Sequence, residues 1–241
     1  MDWQRHRREA HKLGRMLKYL KQIVYGGNDG IVTTFAIVAG FAGASAEGTA
    51  QIGTIAVIVF GLANLLADAM SMGLGEFLSG RSHRDMHRAA RTRLLAELDA
   101  NPAGERAALE ALLRRGGLDA DGARDAAGIL IRNPDFVADL IMAYDYEMTD
   151  PRSLRPARDG LSTFLAFVAL GLLPLLPYLL SAPASAAFGL SVAMTTLALF
   201  ALGVLRWRAT GERALRSIGE TMLVGGACAA AAYGVGALVG G

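Results

Sequence analysis

Cysteine is nearly absent from this chain, since Cys228 is the only one among 241 residues. A single cysteine can form neither an intrachain disulfide nor a Cys-x-x-Cys metal site. Histidine is also scarce, and the sequence has neither a histidine-rich catalytic metal motif nor a nucleophile with a matching base. We therefore expect no prosthetic group and no enzymatic activity.

Charged side chains are missing from three long stretches. Residues 31–46, 160–205 and 221–241 contain no Lys, Arg, Asp or Glu, whereas residues 81–158 are rich in them. Hydrophobic residues make up 53% of the chain, and the mean hydropathy is positive. Because a soluble globular domain spreads its charges more evenly, this pattern indicates an integral membrane protein.

Five stretches are long enough to cross a bilayer, whose hydrocarbon core needs about 20 mostly apolar residues. They are residues 28–48, 52–79, 160–181, 185–205 and 217–239. They should be helical, because irregular backbone facing lipid leaves peptide groups without hydrogen bonds. The predicted fold class is all-α: a polytopic membrane protein with five transmembrane helices and a small cytosolic helical domain inserted between spans 2 and 3. A signal peptide over 31–46 is the weaker interpretation, since its apolar core would not need Asn28-Asp29 at its start.

The positive charges predict the topology. Residues 1–22 hold seven Lys/Arg, residues 81–158 hold thirteen and residues 206–216 hold four, which accounts for all 24. The connections near 47–51 and 181–184 hold none. The N-terminus and the middle segment should therefore be cytoplasmic and the C-terminus outside, with a bacterial inner membrane as the expected location. The net charge of +2 follows from topology, and no aromatic-basic interleaving points to nucleic acid.

Four regions follow from these patterns. Residues 1–25 form a basic amphipathic helix on the inner leaflet, where it contacts membrane lipid. Residues 26–80 contain spans 1 and 2, and residues 159–241 contain spans 3 to 5. The region between them, 81–158, is a cytosolic domain of four helices at 81–98, 104–115, 121–131 and 134–146. Small residues in the spans, as in Gly40-x-x-Gly43, favour a compact bundle or a homodimer.

Four side chains in the second span share a spacing of four residues: Asn64, Asp68, Met72 and Glu76. This polar row lies on one helical face and extends about 18 Å along the membrane. Ionisable groups inside a span cost roughly 2.5–3.5 kcal/mol on insertion, so they need a cavity or a partner. Carboxylates and an amide with a soft thioether suit Fe²⁺ or Mn²⁺ better than hard cations. The alternative is that Met72 fills the core and the carboxylates bond to neighbouring helices.

Two further acidic residues lie near the ends of spans. Asp29 stands at the start of the first predicted span, where it serves either as a pore ligand or as a helix N-cap. Glu220 begins the last span, and pairing with Arg213 or Arg216 gives it a structural role.

Three segments resemble the vacuolar iron transporter family. They are residues 28–40 (NDGIVTTFAIVAG), residues 61–65 (GLANL) and residues 71–78 (SMGLGEFL). The acidic helical segment after span 2 and residues 164–167 and 173–178 (FLAF and LPLLPY) extend the resemblance over nearly the whole chain.

The resemblance implies five spans, a homodimer with a pore between the subunits, and exchange of divalent metal for protons. Asp29 and Met72 match the family's pore aspartate and methionine. Asn64 stands where plant members have a glutamate, and Asp68, one turn away, is placed to supply that charge.

The resemblance also implies that the cytosolic domain collects metal through acidic residues. The remaining candidates are Glu97, Glu105, Glu110, Asp139, Met142, Asp145 and Glu147. Many positions expected to be acidic are Ala or Arg, which predicts weak binding. His83 and His87 have ligand spacing, but a solvated interfacial face is the favoured interpretation because no carboxylates are arranged around them.

The predicted function is export of Fe²⁺ and/or Mn²⁺ from the cytoplasm in exchange for protons. Metal enters past Glu76, binds between Met72 and Asp29, and leaves outward. A membrane metal sensor or binding module that conducts nothing is the first alternative. A membrane hydrolase using Asp68, Glu76 and His83 is the second and weaker one.

Overall fold

The computed structural model describes residues 19–45, 53–148 and 155–240. Within these ranges the regular structure is helical, and no β-strand occurs. The helices are α1 (Leu20–Ser45), α2 (Thr54–Ala100), α3 (Pro102–Arg115), α4 (Ala120–Leu130), α5 (Pro134–Tyr144), α6 (Pro156–Gly171), α7 (Leu176–Leu179), α8 (Ala184–Thr210) and α9 (Ala214–Gly240). A 3₁₀ turn over Leu173–Leu175 leads from α6 into α7.

The chain forms two compact units. The first combines Met1–Phe77 with Ala157–Gly241, and the second is Leu78–Pro156. The first unit contains the polar row, and the second contains the segment predicted to be cytosolic. Residues 1–18, which hold most of the predicted N-terminal amphipathic helix, lie outside the described residues.

Four of the described helical segments are long and apolar enough to cross a membrane: Thr54–Ala100, Pro156–Leu179, Ser185–Thr210 and Ala214–Val239. They correspond to predicted spans 2 to 5. The segment corresponding to span 1, α1, is 26 residues long but is not among them. Asn28 and Asp29 lie within α1 and lower its mean hydropathy. The protein is an all-helical, multi-pass membrane protein.

Helix α1 crosses the boundary predicted at residue 25. It runs without a break through Gly26 and Gly27. These glycines do not end the helix; they allow it to pack closely on α6. A Cβ atom at Gly26 would lie 2.8 Å from the carbonyl oxygen of Thr163, and one at Gly30 would lie 2.5 Å from that of Phe167. The glycines let two backbones approach closely, as small residues do between membrane helices.

The second unit owes its short helices to capping side chains. Asn101, Asp119 and Asn133 each accept a hydrogen bond from a backbone N–H in the first turn of the helix that follows. Pro102 and Pro134 occupy the first helical position, where a missing N–H costs nothing. The helices therefore begin close to the predicted positions, and α3 begins at Pro102 rather than at 104. Their buried faces pack against Leu94 and Leu98 of α2, and they contribute Leu109, Ala127, Val137, Ala138, Ile141 and Met142.

Helices α8 and α9 form an antiparallel hairpin. Gly211 ends α8 in the left-handed conformation with φ of 71°, which glycine adopts without strain. The buried Ser217 hydroxyl of α9 donates a hydrogen bond of 3.2 Å to the carbonyl oxygen of Gly203 on α8. This contact sets the register that brings Arg206 of α8 to Glu220 of α9.

Candidate metal path

The polar row of α2 lies beside the buried face of that helix. Leu65 and Ala69 are fully buried and pack with Phe167 of α6, whereas all four row side chains are half-buried. Met72 lies at the edge of this cluster. The row is therefore held in place by apolar packing on one side and remains accessible on the other.

Two members of the row are joined directly. The Asn64 Nδ2 group donates a hydrogen bond of 2.7 Å to Asp68 Oδ2. Asn64 and Asp68 are one turn apart, so the bond is local to α2. A carboxylate has about four lone-pair sites, so Asp68 can accept this hydrogen bond and also bind a cation.

Helix α1 faces the row in an antiparallel register. Lys21 Nζ lies 3.5 Å from Glu76 Oε1, and the Phe41 and Phe60 ring centroids of the same two helices lie 5.9 Å apart. Asp29 follows Lys21 by eight residues on α1, and Asp68 precedes Glu76 by eight residues on α2. This register puts Asp29 level with Asp68, about 12 Å along the helix pair from Lys21 and Glu76. Two carboxylates are therefore at the same level of the membrane-spanning unit.

Asp29 is not a helix N-cap, contrary to the alternative weighed from the sequence. Helix α1 begins at Leu20, so Asp29 lies in its interior and the amides it was expected to cap are bonded within the helix. Its side chain instead lines an open groove of about 890 Å³ between α1, α8 and α9. Lys21, Arg206 and Glu220 line the same groove. A structural role as a cap therefore no longer explains this carboxylate.

Comparisons with known proteins show the family of this chain. The VIT family pattern matches residues 20–237, which include α1, the polar row and the helical second unit. The chain belongs to the VIT family. It is 33% identical over 216 residues to "Vacuolar iron transporter 1" of Oryza sativa subsp. japonica, covering 90% of this chain and 83% of the relative. These findings confirm the family resemblance inferred from the sequence.

Two further relatives extend the comparison beyond rice. "Vacuolar iron transporter 1" of Arabidopsis thaliana is 32% identical over 214 residues, covering 89% of this chain and 83% of the relative. "Vacuolar iron transporter" of Toxoplasma gondii is 34% identical over 233 residues, covering 92% of this chain and 74% of the relative. The similarity thus extends over both compact units of this VIT-family chain.

Glu220 is held by two arginines. Its Oε1 atom accepts a hydrogen bond of 3.0 Å from Arg216 Nε, which confirms the predicted pairing with Arg216. Its Oε2 atom accepts one of 2.7 Å from Arg206 Nη2 across the α8–α9 hairpin. The second partner was missed because it lies fourteen residues away, although it belongs to the cation-rich segment 206–216.

The metal-binding candidates of the second unit are not brought together. Glu97, Asp145 and Glu147 are exposed, Glu105, Glu110 and Asp139 are half-buried, and Met142 is buried in the core with 1% of its surface exposed. Within the described ranges, no three His, Cys, Asp or Glu side chains are grouped so as to hold a metal ion.

Arginines engage two of these candidate carboxylates. Arg91 Nε donates to Asp139 Oδ1 at 2.8 Å, and Arg91 Nη2 donates to Asp135 Oδ1 at 2.7 Å. These hydrogen bonds raise the pKa of the Arg91 guanidinium. Arg115 pairs with Asp145. Arg91 and Arg115 therefore use these carboxylates to hold the second unit together.

The sequence predicted that the two histidines lie on a solvated face, and this prediction is wrong. His87 is buried, with 7% of its surface exposed, and His83 is half-buried. The Nδ1 atom of His83 has no hydrogen-bond partner among the described residues. Periodicity could not reveal this burial, because both histidines lie in a segment rich in charged residues.

Proposed function

We propose that this protein moves Fe²⁺ and/or Mn²⁺ out of the cytoplasm in exchange for protons. The observation that carries the proposal is the antiparallel contact between α1 and α2. The register of this contact puts Asp29 of α1 level with Asp68 of α2, and Met72 follows Asp68 by one helical turn. Two like charges in that environment favour a divalent cation or a proton between them. The relatives named as iron transporters support the same cargo.

Five spans are proposed, with α1 as the first. The 26 residues of α1 rise about 39 Å, which exceeds the thickness of the hydrocarbon core. The distribution of Lys and Arg supports a cytoplasmic N-terminus, a cytoplasmic second unit and an external C-terminus. A bacterial inner membrane stays a prediction that no comparison tests.

A homodimer through α2 completes the proposal. The outer face of α2 carries small exposed residues at every fourth position: Ala63, Ala67, Ser71 and Gly75. Large apolar side chains flank them and are also exposed, namely Val59, Leu66, Met70, Leu74 and Leu78. Small residues at this spacing permit close packing of membrane helices. A second copy on this face would lie beside the polar row and enclose it.

Exchange follows from the ligand chemistry. Glu76 receives the metal at the cytoplasmic end of the row, and Asp29, Asp68 and Met72 bind it deeper in the membrane. A carboxylate must lose its proton before it coordinates a metal, so each binding event displaces protons and each release allows them to return. Metal movement outward is thereby coupled to proton movement inward.

Flux in proteoliposomes tests this function. Protein reconstituted into vesicles should move Fe²⁺ or Mn²⁺ in the direction opposite to the proton flow that an imposed pH gradient drives, while vesicles without protein should not. Parallel flux assays with Zn²⁺ and Co²⁺ would define the metal selectivity. Stoichiometric metal binding without flux would instead support the non-conducting sensor or binding module.

A further inference from the structure

Lys21 places a positive charge beside Glu76, at the end of the polar row proposed to face the cytoplasm. We propose that Lys21 is a tethered competitor ion, which occupies Glu76 when no metal is present and selects for divalent cations at the entrance. This inference rests on the proposed function, because it assigns a role in the same path. It concerns a residue that sequence patterns alone assign only to the basic N-terminal region.

The geometry supports an exchangeable contact rather than a fixed one. The Nζ atom of Lys21 lies 3.5 Å from Glu76 Oε1, at the long end of the hydrogen-bonding range. The Lys21 side chain is 76% exposed, whereas that of Glu76 is 26% exposed. The lysine can therefore swing into solvent on its flexible stem while the carboxylate stays in place.

The position along α1 links Lys21 to the deeper site. Lys21 and Asp29 are eight residues apart, so they lie close to one face of the helix. Lys21 faces Glu76 at the entrance, and the same antiparallel register puts Asp29 level with Asp68 about two turns deeper. A cation that displaces Lys21 from Glu76 thus enters the same helix contact that leads to the two carboxylates.

The charge of an incoming cation determines whether it can replace Lys21 at Glu76. A monovalent cation at Glu76 gains the same Coulomb attraction that the lysine ammonium already has, so exchange brings it no advantage. A divalent cation doubles the attraction. Without the lysine, Na⁺ would meet an unoccupied carboxylate and compete with the metal for it.

A purely structural ion pair between α1 and α2 would behave differently. Its loss would reduce thermal stability and the amount of active protein, and hence the maximal rate. The loss of a competitor would instead lower the KM for metal and leave the maximal rate per folded protein unchanged. Transport kinetics at varied metal concentration therefore separate the two roles.

The test uses the full-length protein in proteoliposomes with Mn²⁺ as the probe. Lys21→Gln should lower the KM for Mn²⁺ about two- to fivefold, which is the range that a partly exposed ion pair supports. Lys21→Arg should stay close to the unmutated protein, because the charge is kept. In a Glu76→Gln background, Lys21→Gln should have no further effect.

Arg216→Gln is the matched control. Arg216 is also highly exposed, at 71%, and it pairs with Glu220, which lines the groove that Lys21 also lines. Its loss changes the surface charge at this end of the protein without touching the polar row. It should leave the KM for Mn²⁺ unchanged.

A comparison of two salts tests the competition by monovalent cations. NaCl should inhibit Lys21→Gln more than choline chloride does at equal ionic strength, whereas the two salts should act equally on the unmutated protein.

The inference is overturned by an unchanged or raised KM in Lys21→Gln, or by an equal drop in Arg216→Gln. An effect of the same size in the Glu76→Gln background would also overturn it. Absence of Mn²⁺ flux in the unmutated protein would be a failure of the proposed function instead. In that case Mn²⁺ binding to the purified protein decides the role of Lys21, because Lys21→Gln must then bind Mn²⁺ more tightly for the inference to stand.

Discussion

Asn64 donates a 2.7 Å hydrogen bond to Asp68 and thereby fixes one oxygen of a carboxylate that the α1–α2 register puts level with Asp29. The bond holds the Asp68 carboxylate in one orientation on α2. Asn64→Ala should therefore weaken metal binding, by up to about tenfold if the bond contributes roughly 1.5 kcal/mol. Transport KM of the variant and of the unmutated protein checks this, and an equal KM in the two would exclude Asn64 from positioning Asp68.

Met72 supplies the only soft ligand of the polar row. Met72→Ala should slow Fe²⁺ transport while leaving expression and the oligomeric state nearly intact, because membrane helices tolerate small residues. Met86→Ala is the control, since Met86 lies on the same helix and is 58% exposed but belongs neither to the row nor to the proposed dimer face. If both variants transport Fe²⁺ normally, Met72 is not part of the site.

The second unit should contribute little to metal affinity. Asp139 is bonded to Arg91, Asp145 is paired with Arg115 and Met142 is buried. Asp139→Asn and Met142→Leu in the full-length protein should therefore leave the affinity for Mn²⁺ unchanged, as measured by titration calorimetry. Loss of a submicromolar site in either variant would show that this unit binds metal tightly.

Much of the architecture could be predicted because its causes are local. Charge-free stretches reveal spans, and Asn-Pro pairs mark where α3 and α5 begin. The polar row follows from a spacing of four residues. Two other features depend on distant contacts: α1 continues through Gly26 because α6 packs there, and Glu220 meets Arg206 across a hairpin. The pairing of Lys21 with Glu76 also depends on how α1 and α2 align with each other, and the residue pattern of a single helix does not contain that information.

A single added methyl group should disturb the close packing of α1 on α6. Gly30→Ala places a methyl group 2.5 Å from the Phe167 carbonyl oxygen, so it should destabilise the protein by about 1–3 kcal/mol. Gly226→Ala is the matched control, because nothing lies within 4 Å of its Cβ position. Thermal unfolding in detergent compares the two, and equal melting temperatures would contradict the packing described here.

Coupling of metal to protons through Asp29 and Asp68 is the central claim. An asparagine keeps the shape of aspartate but neither titrates nor carries charge. Asp29→Asn and Asp68→Asn should therefore abolish metal-driven proton movement, while Glu220→Gln, which alters a carboxylate already held by two arginines, should have a smaller effect. The apparent metal affinity of the unmutated protein should also fall as pH is lowered, since protonated carboxylates must lose their protons before metal binds.

The most direct measurement follows proton and Mn²⁺ movement simultaneously in proteoliposomes carrying the unmutated protein, Asp29→Asn, Asp68→Asn or Glu220→Gln. The expected result is coupled movement in the unmutated protein, substantial movement in Glu220→Gln, and none in either Asn variant. Full proton movement in both Asn variants, together with a metal affinity that does not change between mildly acid and neutral pH, would contradict exchange through these two carboxylates.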